Sequence, residues 1–163
     1  MMSTVQEVKD IIERAANMPW GPACSAELAR AVVLVDSLEG EEELRIETYM
    51  QLATAYQQGN EEWKALAPTA WLVTKFDENP GAFEADQIKS LAWLYKNAAS
   101  ATGRNPAVSK EQAQELSEGF GTFIQDEGYS MHAVHGVRFT LALRMGDPAA
   151  AHEELVKWRA NPR

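Results

Sequence analysis

Between positions 41 and 80 the sequence reads EEELRIETYMQLATAYQQGNEEWKALAPTAWLVTKFDENP. A charged opening, an apolar stripe, Gly59-Asn60, a second apolar stripe and a closing Asn79-Pro80 spell a helix, a tight turn and an antiparallel partner helix. The same grammar returns near the end of the chain as HAVHGVRFTLALRMGDPAAAHEELVKWRANP. A single helical hairpin cannot bury both of its faces, so a chain written this way folds as a stack of hairpins.

The rest of the sequence fits the same scheme. Thr4-Val5-Gln6-Glu7 has the spelling of a capping box, with the Thr4 hydroxyl facing inward along the chain and Glu7 reaching back. Val5, Val8, Ile11, Ile12 and Ala15 then form a helical stripe, which Pro19-Trp20-Gly21-Pro22 terminates. A second helix is expected from Ser25. Leu28, Ala31, Val32, Leu34, Val35 and Leu38 leave it apolar on most sides, which predicts a central buried helix. A third helix covers 41–58, with Glu41, Glu42 and Glu43 favoured at its N-terminus by the helix dipole. The fourth, 61–76, holds Pro68 and is expected to kink or split near Ala67, with Trp63, Leu66, Ala70 and Val73 on its buried side.

Helix five is expected over 83–100. Ser109-Lys110-Glu111-Gln112 is a second capping-box spelling and opens helix six. Gly119 and Gly121 lie inside helix six at a cost of about 1 kcal/mol each relative to Ala, which predicts a neighbour packed very close. Helix seven covers 130–145, and Asp147-Pro148 is an N-cap followed by a proline suited to the first helical position of helix eight. Hairpins therefore begin near 4, 41, 82 and 130, about forty residues apart, in the range of helical solenoids.

Leu52-Ala53, Tyr56, Gly59-Asn60 and Asn79-Pro80 in the second hairpin, with Gly146-Asp147, Ala151, Leu155 and Pro162 in the fourth, carry a resemblance to the tetratricopeptide-repeat class. The stretch SMHAVHGVRFTLALRMGDPAAAHEELVKWRANPR also looks like the last repeats of a group of bacterial tetratricopeptide-like proteins. The resemblance implies an all-α fold, a right-handed α-α superhelix of about eight helices in four antiparallel pairs, forming a single domain over 1–163. It further implies a concave surface lined by the first helix of each pair and a chain that continues beyond Arg163 in a longer parent. Pro68 inside a helix and Trp158 at a small-residue position depart from the repeat pattern.

Composition narrows the function. The net charge is −9 over 163 residues, which argues against sequence-independent nucleic-acid binding and against docking on anionic lipid. Residues 130–163 differ, with 5 Lys/Arg against 3 Asp/Glu and all three histidines. Cys24 is the only cysteine, so no internal disulfide forms. No run has membrane-spanning length and the N-terminus has no h-region, which places the protein in the cytoplasm.

The expected function is that of a non-enzymatic module binding a protein or peptide segment in a groove lined by helices three, five and seven. Arg45, Lys89, Trp93, Lys96, His132, His135 and Arg138 are its candidate contacts, offering aromatic faces, hydrogen bonds and a guanidinium able to grip a carboxylate. No cofactor is called for. One alternative is the peptide-sensing domain of a bacterial regulator. Another is a metal-dependent enzyme using His132 and His135, whose i,i+3 spacing puts both rings on one helix face, with His152 or Glu153 as a third ligand. Cys24 has no base near it in sequence and no nucleophile motif accompanies it. On helix eight, Leu155 and Trp158 share one face while Val156 and Ala149 fall on another. That second apolar side predicts a cover, either chain beyond Arg163 or a second copy in a two-fold dimer through the C-terminal helix pair.

Overall fold

The computed structural model describes residues 4–102 and 108–161, and every regular element among them is helical. In order they are α1 (Val5–Ala16), α2 (Pro22–Asp36), α3 (Glu42–Gln58), α4 (Glu62–Glu78), a 3-10 turn (Pro80–Ala82), α5 (Ala85–Thr102), α6 (Lys110–Asp126), α7 (His132–Arg144) and α8 (Pro148–Ala160). None of the helices, among the described residues, is long and apolar enough to cross a membrane. The chain forms two compact units, residues 1–94 and 95–163, with the division inside α5.

Local chemistry sets the boundaries. Thr4 Oγ1 accepts from the Glu7 N–H at 3.1 Å and caps α1. Ser109 and Gln112 complete a full capping box at α6, with bonds of 3.1 and 2.9 Å. Asp147 accepts from the Ala150 N–H at 3.0 Å, with Pro148 opening α8 behind it. The α3–α4 turn closes at Asn60, whose φ of +61° is tolerated by Asn better than by most side chains. Pro22, rather than Ser25, opens α2, because a proline suits the first helical position, where no N–H is needed.

In the first unit α3 is the central helix. It packs against α1, α2 and α4, and its Leu44, Ile46, Thr48, Met50, Leu52, Ala53 and Ala55 are buried on several sides. Two apolar clusters tie it to the first hairpin: Val8, Ile11, Ala31, Val35 and Leu44, then Ala15, Cys24, Leu28, Leu52 and Ala55. The central position expected of α2 therefore belongs to α3. Only one stripe of α2 is buried, and its Val33 is 70% exposed.

The α4 helix also corrects the sequence reading. It runs unbroken through Pro68, so it is not split. Its buried stripe is Ala65, Pro68, Thr69, Leu72 and Phe76, one residue out of step with the expected one, and Trp63 is 65% exposed. Lys64 lies over the Trp63 ring at 5.1 Å instead. The ring of Trp71 stacks on Tyr49 at 3.8 Å.

In the second unit α6 packs on α7 and α7 on α8. The two glycines of α6 have the close neighbours that the sequence predicts. The Tyr95 hydroxyl occupies the place a Cβ would take at Gly119. At Gly121 a Cβ would stand 2.9 Å from Arg138 Nη2 and 3.4 Å from Val134 Cγ1. Phe120 and Phe123 on the same helix pack around Tyr95 at 5.5 and 5.7 Å.

Candidate functional site

A cleft of about 910 Å³ opens on the first unit. Its walls come from α1 (Val5, Lys9), the start and one face of α3 (Glu41, Glu43, Glu47, Gln51, Thr54), the turn before α5 (Phe83, Glu84) and the first turns of α5 (Asp86, Gln87, Ser90). Glu43, Glu47, Gln51 and Thr54 recur every three or four residues, so helical geometry alone aligns them along one side. Leu44, Met50 and Phe83, each less than a tenth exposed, form the apolar floor.

The charge of this cleft is one-sided. Glu41, Glu43, Glu47, Glu84 and Asp86 line it against the single cation Lys9, and none of the five carboxylates has an ion-pair partner among the described residues. Glu42 differs from its neighbours. It turns away from the cleft, to Arg45 at 3.2 Å and Lys75 at 3.6 Å. The triplet at the head of α3 is thus divided by helical phase into one structural carboxylate and two that face the opening. Glu43 and Glu47 stand i,i+4 with like charge, an arrangement that costs a few tenths of a kcal/mol when nothing compensates it.

The structure distributes the sequence-predicted contacts differently. Arg45 does not line the cleft. Its Nε donates to Asp36 at 3.3 Å, its Nη1 to Glu42 at 3.2 Å, and its Nη2 to the carbonyls of Val35 and Leu38 at 3.1 and 2.6 Å. It clamps the end of α2, where helix carbonyls lack intrahelical partners. Tyr49 joins the same cluster, donating to Asp36 at 2.8 Å. Burial, the hydrogen bond and the repulsion of that carboxylate push the Tyr49 phenol up to about 12. Lys89 and Trp93 are exposed on α5 and Lys96 is half-buried, all three outside the cleft.

His132 and His135 serve different contacts. His132 Nδ1 lies 2.7 Å from the Asn161 carbonyl, and its Nε2 receives the Trp158 indole N–H at 2.8 Å. A carbonyl can only accept, so the ring is the Nδ1–H tautomer and both nitrogens are occupied. His135 is buried, with Nδ1 2.9 Å from Glu154. Together they pin α8 onto α7. Among the described residues no three His, Cys, Asp or Glu side chains converge as metal ligands. His152 and Glu153 are exposed, and Glu153 pairs with Lys157 at 3.5 Å. Cys24 is buried beneath α1, where desolvation raises its thiol pKa. Arg138 lines a separate cleft of the second unit.

The acidic wall was missed by sequence reading, which sought aromatic and cationic contacts. Glu43 and Glu47 on the face adjoining Leu44 and Met50 were the available signal. On α8 the apolar side expected to lie open is represented by Val156, 55% exposed, beside half-buried Leu155 and Trp158. Compared with protein families, with curated proteins and with solved structures, the chain finds no match.

Proposed function

We propose that this protein is a non-enzymatic interaction module of the tetratricopeptide-like kind, and that the first unit binds an extended or helical peptide segment rich in Lys and Arg. The observation that carries the reading is the cleft built from α1, α3 and the start of α5, the opening helices of successive hairpins, with five unpaired carboxylates over an apolar floor. A cationic segment with an apolar anchor complements both features. The anchor covers Leu44, Met50 and Phe83, and its Lys or Arg side chains relieve the repulsion among the carboxylates. The binding groove expected on helices three, five and seven is accordingly proposed on α1, α3 and α5.

A rigid helical wall keeps the ordering cost on the protein side low, so a short segment can be held without rearrangement of the cleft. Selection of random displayed peptides on the immobilised protein tests the reading. The expected outcome is enrichment of Lys and Arg around an apolar residue, with affinities that fall as salt rises. Enrichment of acidic sequences, or of none, would rule the reading out.

A further inference from the structure

The second unit has its own cleft of about 520 Å³, in the size range of small-ligand sites. It lies along one side of α6 and α7 and ends at the start of α8. Ser117, 3% exposed, lines this cleft from α6. Arg138 is half-buried and makes neither an ion pair nor a hydrogen bond with any described residue. Its Nη2 fits against α6 because position 121 is glycine.

We propose that this cleft binds a monocarboxylate with an apolar body, its carboxylate held by the Arg138 guanidinium and the Ser117 hydroxyl. The guanidinium fork matches a carboxylate, and the hydroxyl supplies a further donor. Leu141, Ala142 and Met145 offer the apolar wall for the body. Charge selects the valence. Lys110 and Arg138 line the cleft against Glu118, Asp147 and Glu154, which leaves no surplus of positive charge and disfavours a dianion such as phosphate more than a monoanion. Asp147 is committed to the Ala150 N–H and Glu154 to His135, so neither is placed to neutralise Arg138. The ligand is either a free small acid or the C-terminal carboxylate of a peptide, and the inference stands apart from the basic segment proposed for the first unit.

The test is a nuclear magnetic resonance titration of the whole isotope-labelled chain, following the Gly121 amide and the Arg138 side chain. The probes are hexanoate, neutral hexanamide, inorganic phosphate, and an apolar tripeptide as its acid and its amide. A carboxylate probe should produce saturable shifts at both positions with a Kd of about 1 mM, and its amide and phosphate should not. A tighter tripeptide acid than hexanoate assigns the peptide terminus, and the reverse order assigns a free acid. R138Q should weaken binding roughly tenfold or more. G121A keeps every charge and raises helix propensity, but its methyl displaces the guanidinium, so it should fold and still bind roughly tenfold more weakly. Equal responses to acid and amide, no saturation at about ten times that concentration, or unchanged binding in G121A would each overturn the proposal.

Discussion

Replacing Arg45 with methionine keeps most of the side-chain length and removes the guanidinium. In the structure that group is only 15% exposed and reaches four acceptors. The two carboxylates, Asp36 and Glu42, are more than two-fifths exposed. They rehydrate when the arginine is lost, so together they contribute at most about 1 kcal/mol. The carbonyls of Val35 and Leu38 weigh more. A charge-assisted hydrogen bond contributes about 1.5–3 kcal/mol, and part of that returns as water reaches the freed carbonyls. The expected loss for Arg45→Met is about 2–4 kcal/mol in a urea titration followed by circular dichroism. Arg45→Lys should recover less than half of it, because one ammonium cannot fork to acceptors on both sides. A loss below about 0.5 kcal/mol, within the range of ordinary surface substitutions, would refute the assignment of Arg45 as a clamp on α2.

Further outcomes follow from the same geometry. Pro68→Ala restores one helical hydrogen bond and about 3 kcal/mol of propensity while removing two buried methylenes worth about 1.6 kcal/mol. A net gain of about 1 kcal/mol in denaturant is expected, and a loss of several would mean that the proline shapes the α4 packing. Tyr49 should ionise near pH 12 in an ultraviolet absorbance titration. Its raised pKa means that the folded state holds the proton longer than the unfolded one, so its contribution is intact below about pH 10. That contribution disappears as the pH rises through the folded value. Asp36→Asn should bring the Tyr49 midpoint down. Glu43→Gln removes an i,i+4 repulsion with Glu47 of about 0.2–0.5 kcal/mol and a favourable helix-dipole interaction of similar size at the first turn of α3. Stability should therefore change by less than about 0.5 kcal/mol, while binding of a Lys/Arg-rich peptide weakens.

Much of this architecture was written in local chemistry. The Ser109–Gln112 box, the Asp147 cap and the glycine and proline punctuation gave helix boundaries close to those observed, because each acts within a few residues. Gly119 and Gly121 announced close neighbours, since a helix interior does not otherwise favour glycine. The errors lie where the deciding partner is remote. The buried stripe of α4 slipped by one residue because apolar residues such as Leu66, Val73 and Leu72 fall on adjoining phases of the helix, and packing against α3 selects which phase is buried. Arg45 read as a partner contact, yet its acceptors lie seven to ten residues back on α2 and its loop, or three residues away on α3. His132 and His135 read as a pair, but Trp158, Asn161 and Glu154 on α8 and its end divide them between two separate contacts. The cleft carboxylates were legible as charges and not as a surface, because their lack of counter-ions depends on what the other helices bring near.

The most direct measurement is a titration of the isotope-labelled protein with a Lys/Arg-rich peptide carrying one apolar residue, recorded for the parent chain and for a Glu43→Lys, Glu47→Lys variant. Binding in the acidic cleft predicts amide shifts concentrated in α1, α3 and the first turns of α5, and their loss in the charge-reversed protein while its helical spectrum is unchanged. Shifts scattered over the surface, or a variant that binds the basic peptide as well as the parent does, would contradict the account.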